Sequence, residues 1–80
     1  MPTFALHHSH CPEECAIAIA AWKGFRSPLR GGRPLGSCVF GGHRVSWTVE
    51  ATDADAALAQ LPRFVAVRTR VERVREVPIP

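Results

Sequence analysis

The chain has 80 residues, 46% of them hydrophobic and 21% charged, which is the composition of one folded domain and excludes a disordered tail. A net charge of +3 is carried by nine scattered arginines interleaved with Glu72 and Glu76, without a run of aromatic residues to stack bases, so a nucleic-acid partner is not expected. A chain this short buries only about 60 to 65% of its unfolded surface, so a bound ion or a second copy is expected to add stability.

No apolar run approaches the roughly 18 residues of a membrane span. Met1–His10 also lacks the basic start and long apolar centre of a signal peptide, which gives a cytoplasmic expectation with no membrane partner. Three cysteines cannot all pair within the chain, so reduced thiols are expected, as ligands or as small buried hydrophobes.

In chain order, Thr3 to His10 alternates with the period of a strand, placing Phe4, Leu6, His8 and His10 on one face and Thr3, Ala5, His7 and Ser9 on the other. Pro12 suits the first position of a helix and Glu13 and Glu14 suit its positive end. Cys15, Ala18, Ile19 and Trp22 then form an apolar stripe, which predicts a helix from about Pro12 to Lys23 that Gly24 stops. The Gly-, Pro- and Arg-rich segment from Phe25 to Gly36 reads as a loop. Ser37 to Phe40 and His43 to Ala51 read as two strands of a hairpin joined at Gly41-Gly42, with Phe40 facing His43 and Cys38 facing Val45. Thr52-Asp53-Ala54-Asp55 is a variant capping box for a short second helix that Pro62 ends, and a final edge strand is expected around Arg70 to Val77. Phe64 to Arg68 has no assignment on this basis.

The expected order is therefore β-α-β-β-α-β, an α+β fold of the ferredoxin-like type: a single domain over residues 1–80. It has a four-stranded antiparallel sheet in order 4-1-3-2 with two helices on one face. In that topology the end of the first strand, the start of the first helix and the hairpin turn share one rim of the sheet. His8 and His10, then Glu13 and Cys15, then His43 are brought together there. Neutral imidazole and thiolate suit a divalent transition metal such as zinc, nickel, copper or iron. The expected metal ligands are His8, His10, Cys15 and His43. Glu13 serves as a further ligand or an orienting acceptor, Cys38 points to the same side, and Trp22 and Trp47 belong to the core, with Trp47 a possible wall of a pocket. The helix amino end is expected to lower the pKa of Cys11 or Cys15. Each residue also has a plain structural role open to it: Cys15 and Cys38 as buried hydrophobes, a strand-end histidine as a hydrogen-bonding cap, and His7 as a surface or dimer contact.

Two segments carry a resemblance. His8-Ser9-His10-Cys11-Pro12-Glu13-Glu14-Cys15 resembles a His-x-His-x-x-Glu-x-Cys opening. Gly41-Gly42-His43 leading to Val49-Glu50-Ala51 resembles a Gly-x-His segment followed five residues later by Val-Glu-Ala. Both are similar to small uncharacterised bacterial proteins of the ferredoxin-like, dimeric α/β-barrel type, and more distantly to nickel-binding ferredoxin-like proteins and muconolactone isomerase. The resemblance implies the fold, a homodimer and a shared site at His8, His10, Glu13, Cys15 and His43; it implies no reaction. The Arg/Gly/Pro loop and the Pro-rich end depart from those proteins. Two functions follow as expectations. The first is transition-metal binding for storage, sensing or minor catalysis. The alternative is a small-molecule-binding protein, or an isomerase- or monooxygenase-like enzyme, with a histidine as general acid or base in a cleft under the first helix, lined by Phe40, Trp22 and Trp47.

Overall fold

Alternation along the first segment does form a strand, β1 (Thr3–Ser9), in which Phe4, Leu6 and His8 are buried and the residues between them are not. In the computed structural model, which describes residues 1–80, β1 lies between β3 (Arg44–Glu50) and β4 (Thr69–Val74), both antiparallel to it. A two-residue strand, β2 (Leu35–Gly36), completes the sheet on the outer side of β3. The order is β2-β3-β1-β4, or 4-1-3-2 counted from the β4 edge. Three short helices complete the fold: α1 (Cys15–Ala20), α2 (Ala54–Leu58) and α3 (Arg63–Ala66). None is long and apolar enough to cross a membrane.

Apolar residues on one side of the sheet decide where the core sits. Phe4, Leu6 and Val49 from the strands meet Ala51, Ala57, Leu61 and Val65 from the segment carrying α2 and α3. The opposite side, with His7, Ser46 and Thr48, stays polar and uncovered. Only ten residues are buried, so the core is small even for this length.

Several expected boundaries move, each for a local reason. The first helix is split: Pro12–Glu14 forms a single 3-10 turn, α1 covers Cys15–Ala20, and turns carry the chain on to Gly24, whose φ is +73°. Ala18 is its buried residue, whereas Ile19 is 67% exposed. The second helix is capped by Asp53, whose Oδ1 accepts the Ala56 N–H at 2.8 Å, and not by Thr52. Pro62 ends α2's segment and also opens α3, so the segment left unassigned is a third helix. The last strand stops at Val74, short of Val77.

The hairpin differs most. Cys38–Phe40 is a 3-10 turn and not a strand, and the pairs across the ladder are Leu35 with Ser46 and Gly36 with Val45. Ser37 is the cause. Its N–H donates to Arg44 O at 2.8 Å, its carbonyl accepts from Gly42 N at 2.9 Å, and its hydroxyl accepts from Arg44 N at 3.1 Å. One serine thus satisfies the backbone groups that a longer strand would have paired, and residues 37–44 close into a loop. Glycine is required within it: Gly41 has φ +85°, and a Cβ on Gly42 would collide with the Ser37 hydroxyl. Phe40 is carried outward to 89% exposure and does not join Trp22 and Trp47 in lining a cleft.

Candidate metal centre

The 37–44 loop begins beside Cys38 and ends at His43, which adopts φ +50°, a left-handed conformation uncommon for a residue with a side chain. His43 O accepts the His10 N–H at 3.1 Å, so β1 and β3 remain joined one step beyond their last ladder pair. That bond brings the His10 and His43 rings edge to face, with centroids 5.4 Å apart and planes inclined by 64°. On the other side, Glu14 fixes the turn that leads into α1. One carboxylate oxygen accepts from Cys11 N at 2.9 Å, and the other accepts from Arg68 Nε at 3.1 Å and Nη2 at 3.0 Å. Arg68 also donates to Phe64 O and lies over the Phe64 ring, so the start of α1 is tied to the end of α3. The Cys11 N–H and the Arg68 guanidinium hold the Glu14 carboxyl below its ordinary range.

These two loops bring His10, Cys15, Cys38 and His43 together, one ligand atom from each lying within 4.8 Å of all the others. A zinc ion with bonds of about 2.0 to 2.3 Å would need donor atoms about 3.3 to 3.8 Å apart. The Cys38 Sγ to His10 Nε2 distance is already 3.6 Å, so closure calls for movements on the order of an ångström at the remaining edges. His43 Nδ1 is buried and has no hydrogen-bond partner. A buried imidazole nitrogen left so is costly without a ligand. Such a group, two imidazoles and two thiols, can hold a metal ion.

His8 stands behind His10. Thr69 gives its only hydroxyl proton to Val65 O at 2.7 Å and therefore accepts from His8 Nδ1 at 3.3 Å. The proton on His8 is thus on Nδ1, and its Nε2, 3.0 Å from His10 Nδ1, accepts from that nitrogen. His10 in turn presents Nε2 as a bare lone pair toward Cys38, the atom a metal would use. Burial, with His10 as the next cause, pushes the His8 pKa down, in keeping with a neutral ring.

The remaining site residues are placed as follows. Glu13 is exposed on the 3-10 turn. Trp22 and Trp47 are half-buried, with rings 5.9 Å apart, beside His8 and His10. The thiol expectation needs correction. Cys11 is exposed and its pKa is raised, by Glu14 first and Glu13 second, because two carboxylates outweigh one short turn of backbone dipole. Burial, followed by the hydrogen bond with Cys15, raises Cys38. A signal for Cys38 was present in the sequence: His10 and Cys15, and again Cys38 and His43, are each separated by four residues. Each loop thereby delivers one imidazole and one thiol.

The metal-free protein should lose stability on acidification in two steps. Below the ordinary histidine value of 6.5, the unfolded ring takes a proton that native His8 resists, so the unfolded state binds more protons and stability falls with pH. The Glu14 contribution disappears later, as pH falls below the ordinary 4.5. Denaturant midpoints measured across this range check both; the upper step should vanish in His8→Gln, and its persistence there would count against a neutral His8.

No family model, curated protein or solved structure matches this chain.

Proposed function

We propose that this protein binds a transition metal ion, zinc first among them, through His10 Nε2, the Cys15 and Cys38 thiolates and His43. The observation that carries this reading is the convergence of four donor atoms from two separate loops within 4.8 Å, one contributing residue bearing a buried nitrogen without a partner. Two thiolates neutralise the charge of a divalent ion, and an S₂N₂ set favours tetrahedral zinc. Four protein ligands close the coordination sphere, which fits structure, storage or sensing better than catalysis at the metal. His8 has both ring nitrogens engaged by Thr69 and His10, which disfavours it as a free general base. The finer architecture belongs to the same proposal: the strand order and the helices on the core side support a reduced ferredoxin-like fold whose second strand has shrunk to two residues.

The test is elemental analysis of untagged protein, together with cobalt substitution. About one equivalent of metal per chain is expected, with the strong visible absorption of tetrahedral cobalt bound by thiolate. Protein that carries no metal and melts at an unchanged temperature with added zinc, nickel or copper would remove the proposal.

A further inference from the structure

Against the inner side of the His/Cys group lies a cavity of about 370 Å³, with His10 and Cys38 at one end. It falls in the size range of small-molecule sites. Trp22 and Trp47 form an angled wall, their planes inclined by 44°, while Ala18, Val45 and Val65 line it deeper in. The loop at Arg30–Gly32 completes the lining.

Two features set this cavity apart from a packing gap. A protein with so few buried residues would gain about 25 cal/mol for each Å² of indole covered more closely, yet the space beside Trp22 and Trp47 stays open while Leu29 of the loop packs on the core. The loop is held in its course: the Ser27 hydroxyl donates to Gln60 O at 2.6 Å and accepts from Leu29 N at 3.1 Å, and Gly31 turns the chain at φ +83°. The second feature is Arg30. The ion pairs of the protein are Arg68 with Glu14 and His7 with Glu72, so Arg30, an exposed residue of the cavity lining, has no carboxylate of its own.

We propose that this cavity binds a small aromatic carboxylate, its ring against the Trp22 and Trp47 indoles and its carboxylate paired with Arg30. An aromatic body can stack offset on one indole and set its edge against the other, inclined plane. A planar carboxylate matches the two-pronged guanidinium, and a single cation with no neighbouring acid selects a monoanion. The cavity shares His10 and Cys38 with the metal centre, but the proposal rests on Trp22, Trp47 and Arg30 and does not require a bound metal.

The two tryptophans in the chain both wall the cavity, so intrinsic fluorescence reports its occupancy. Benzoate and its neutral analogue benzamide are titrated into the full chain, once zinc-loaded and once after chelation, with bound metal measured separately. Saturable quenching by benzoate is expected in the millimolar range or tighter, with benzamide weaker by about ten-fold or more. Arg30→Gln, an exposed change that leaves the core alone, should bring benzoate to the level of benzamide without moving benzamide. Ala18→Leu should abolish both where that variant folds. The absence of a saturable signal from benzoate in both metal states overturns the proposal, as does equal binding of benzoate and benzamide with no effect of Arg30→Gln. Benzoate binding to metal-free protein would uphold the cavity even if elemental analysis had removed the metal site.

Discussion

Replacing Cys38 by alanine is expected to weaken zinc binding by more than about a hundredfold, since the loss of an orienting neighbour alone typically costs about 10- to 100-fold and here a donor atom itself is removed. The thiol lies at the start of the Ser37-closed loop and faces His10 Nε2. Its Cβ–Sγ reach is what a serine or alanine cannot replace. Two comparisons make the result specific. His8→Ala should lower affinity by the smaller factor of about 10 to 100, because it removes the acceptor that keeps His10 Nδ1 protonated but leaves all four donors in place. Cys11→Ala should have no effect, because that thiol is exposed, outside the donor group and held protonated by Glu14 and Glu13. Competition against a chromophoric chelator ranks the three. Equal losses for Cys38→Ala and Cys11→Ala would show that the zinc sits elsewhere.

Much of this geometry is legible in the sequence where burial is one-sided. Alternation in β1 placed Phe4, Leu6 and His8 on the core face because a strand with one wet side has no freedom of register. The rim shared by His10 and His43 follows from topology alone. The second strand was not legible, because Ser37 to Phe40 has the composition of a strand and the competing interaction is made by one serine side chain. The expected strand already put Cys38 on the same side as His8, His10 and His43; the loop that forms instead brings it among the donor atoms of His10, Cys15 and His43, with His8 behind His10. The roles of His8 and His10 depend on a proton relay ending at Thr69 and Val65, residues more than 50 positions away, which no local pattern encodes. The third helix was hidden because Pro62 both terminates and initiates helix, and periodicity over four residues is too short to recognise.

Leu6→Ala is expected to leave the metal-free domain largely unfolded at room temperature and the zinc-bound domain folded. Leu6 is fully buried at the centre of the sheet, among Phe4, Val49 and Val65. Truncating such a leucine costs about 2 to 5 kcal/mol. A domain of 80 residues has a total stability of about 4 to 12 kcal/mol, and a core of eight buried apolar residues puts this one toward the lower figure. Zinc acts in the opposite direction. Binding to the native state alone adds about 4 kcal/mol when free metal exceeds its dissociation constant a thousandfold. That is comparable to the loss, so excess zinc should restore the circular-dichroism signal and a cooperative melt to Leu6→Ala. The double variant Leu6→Ala, Cys38→Ala should stay unfolded under the same conditions, because its core defect is identical and its metal site is broken. Recovery of the double variant by zinc would mean that the ion stabilises the chain without the loop of Cys38, and that the centre formed by the two loops is not what couples metal to folding.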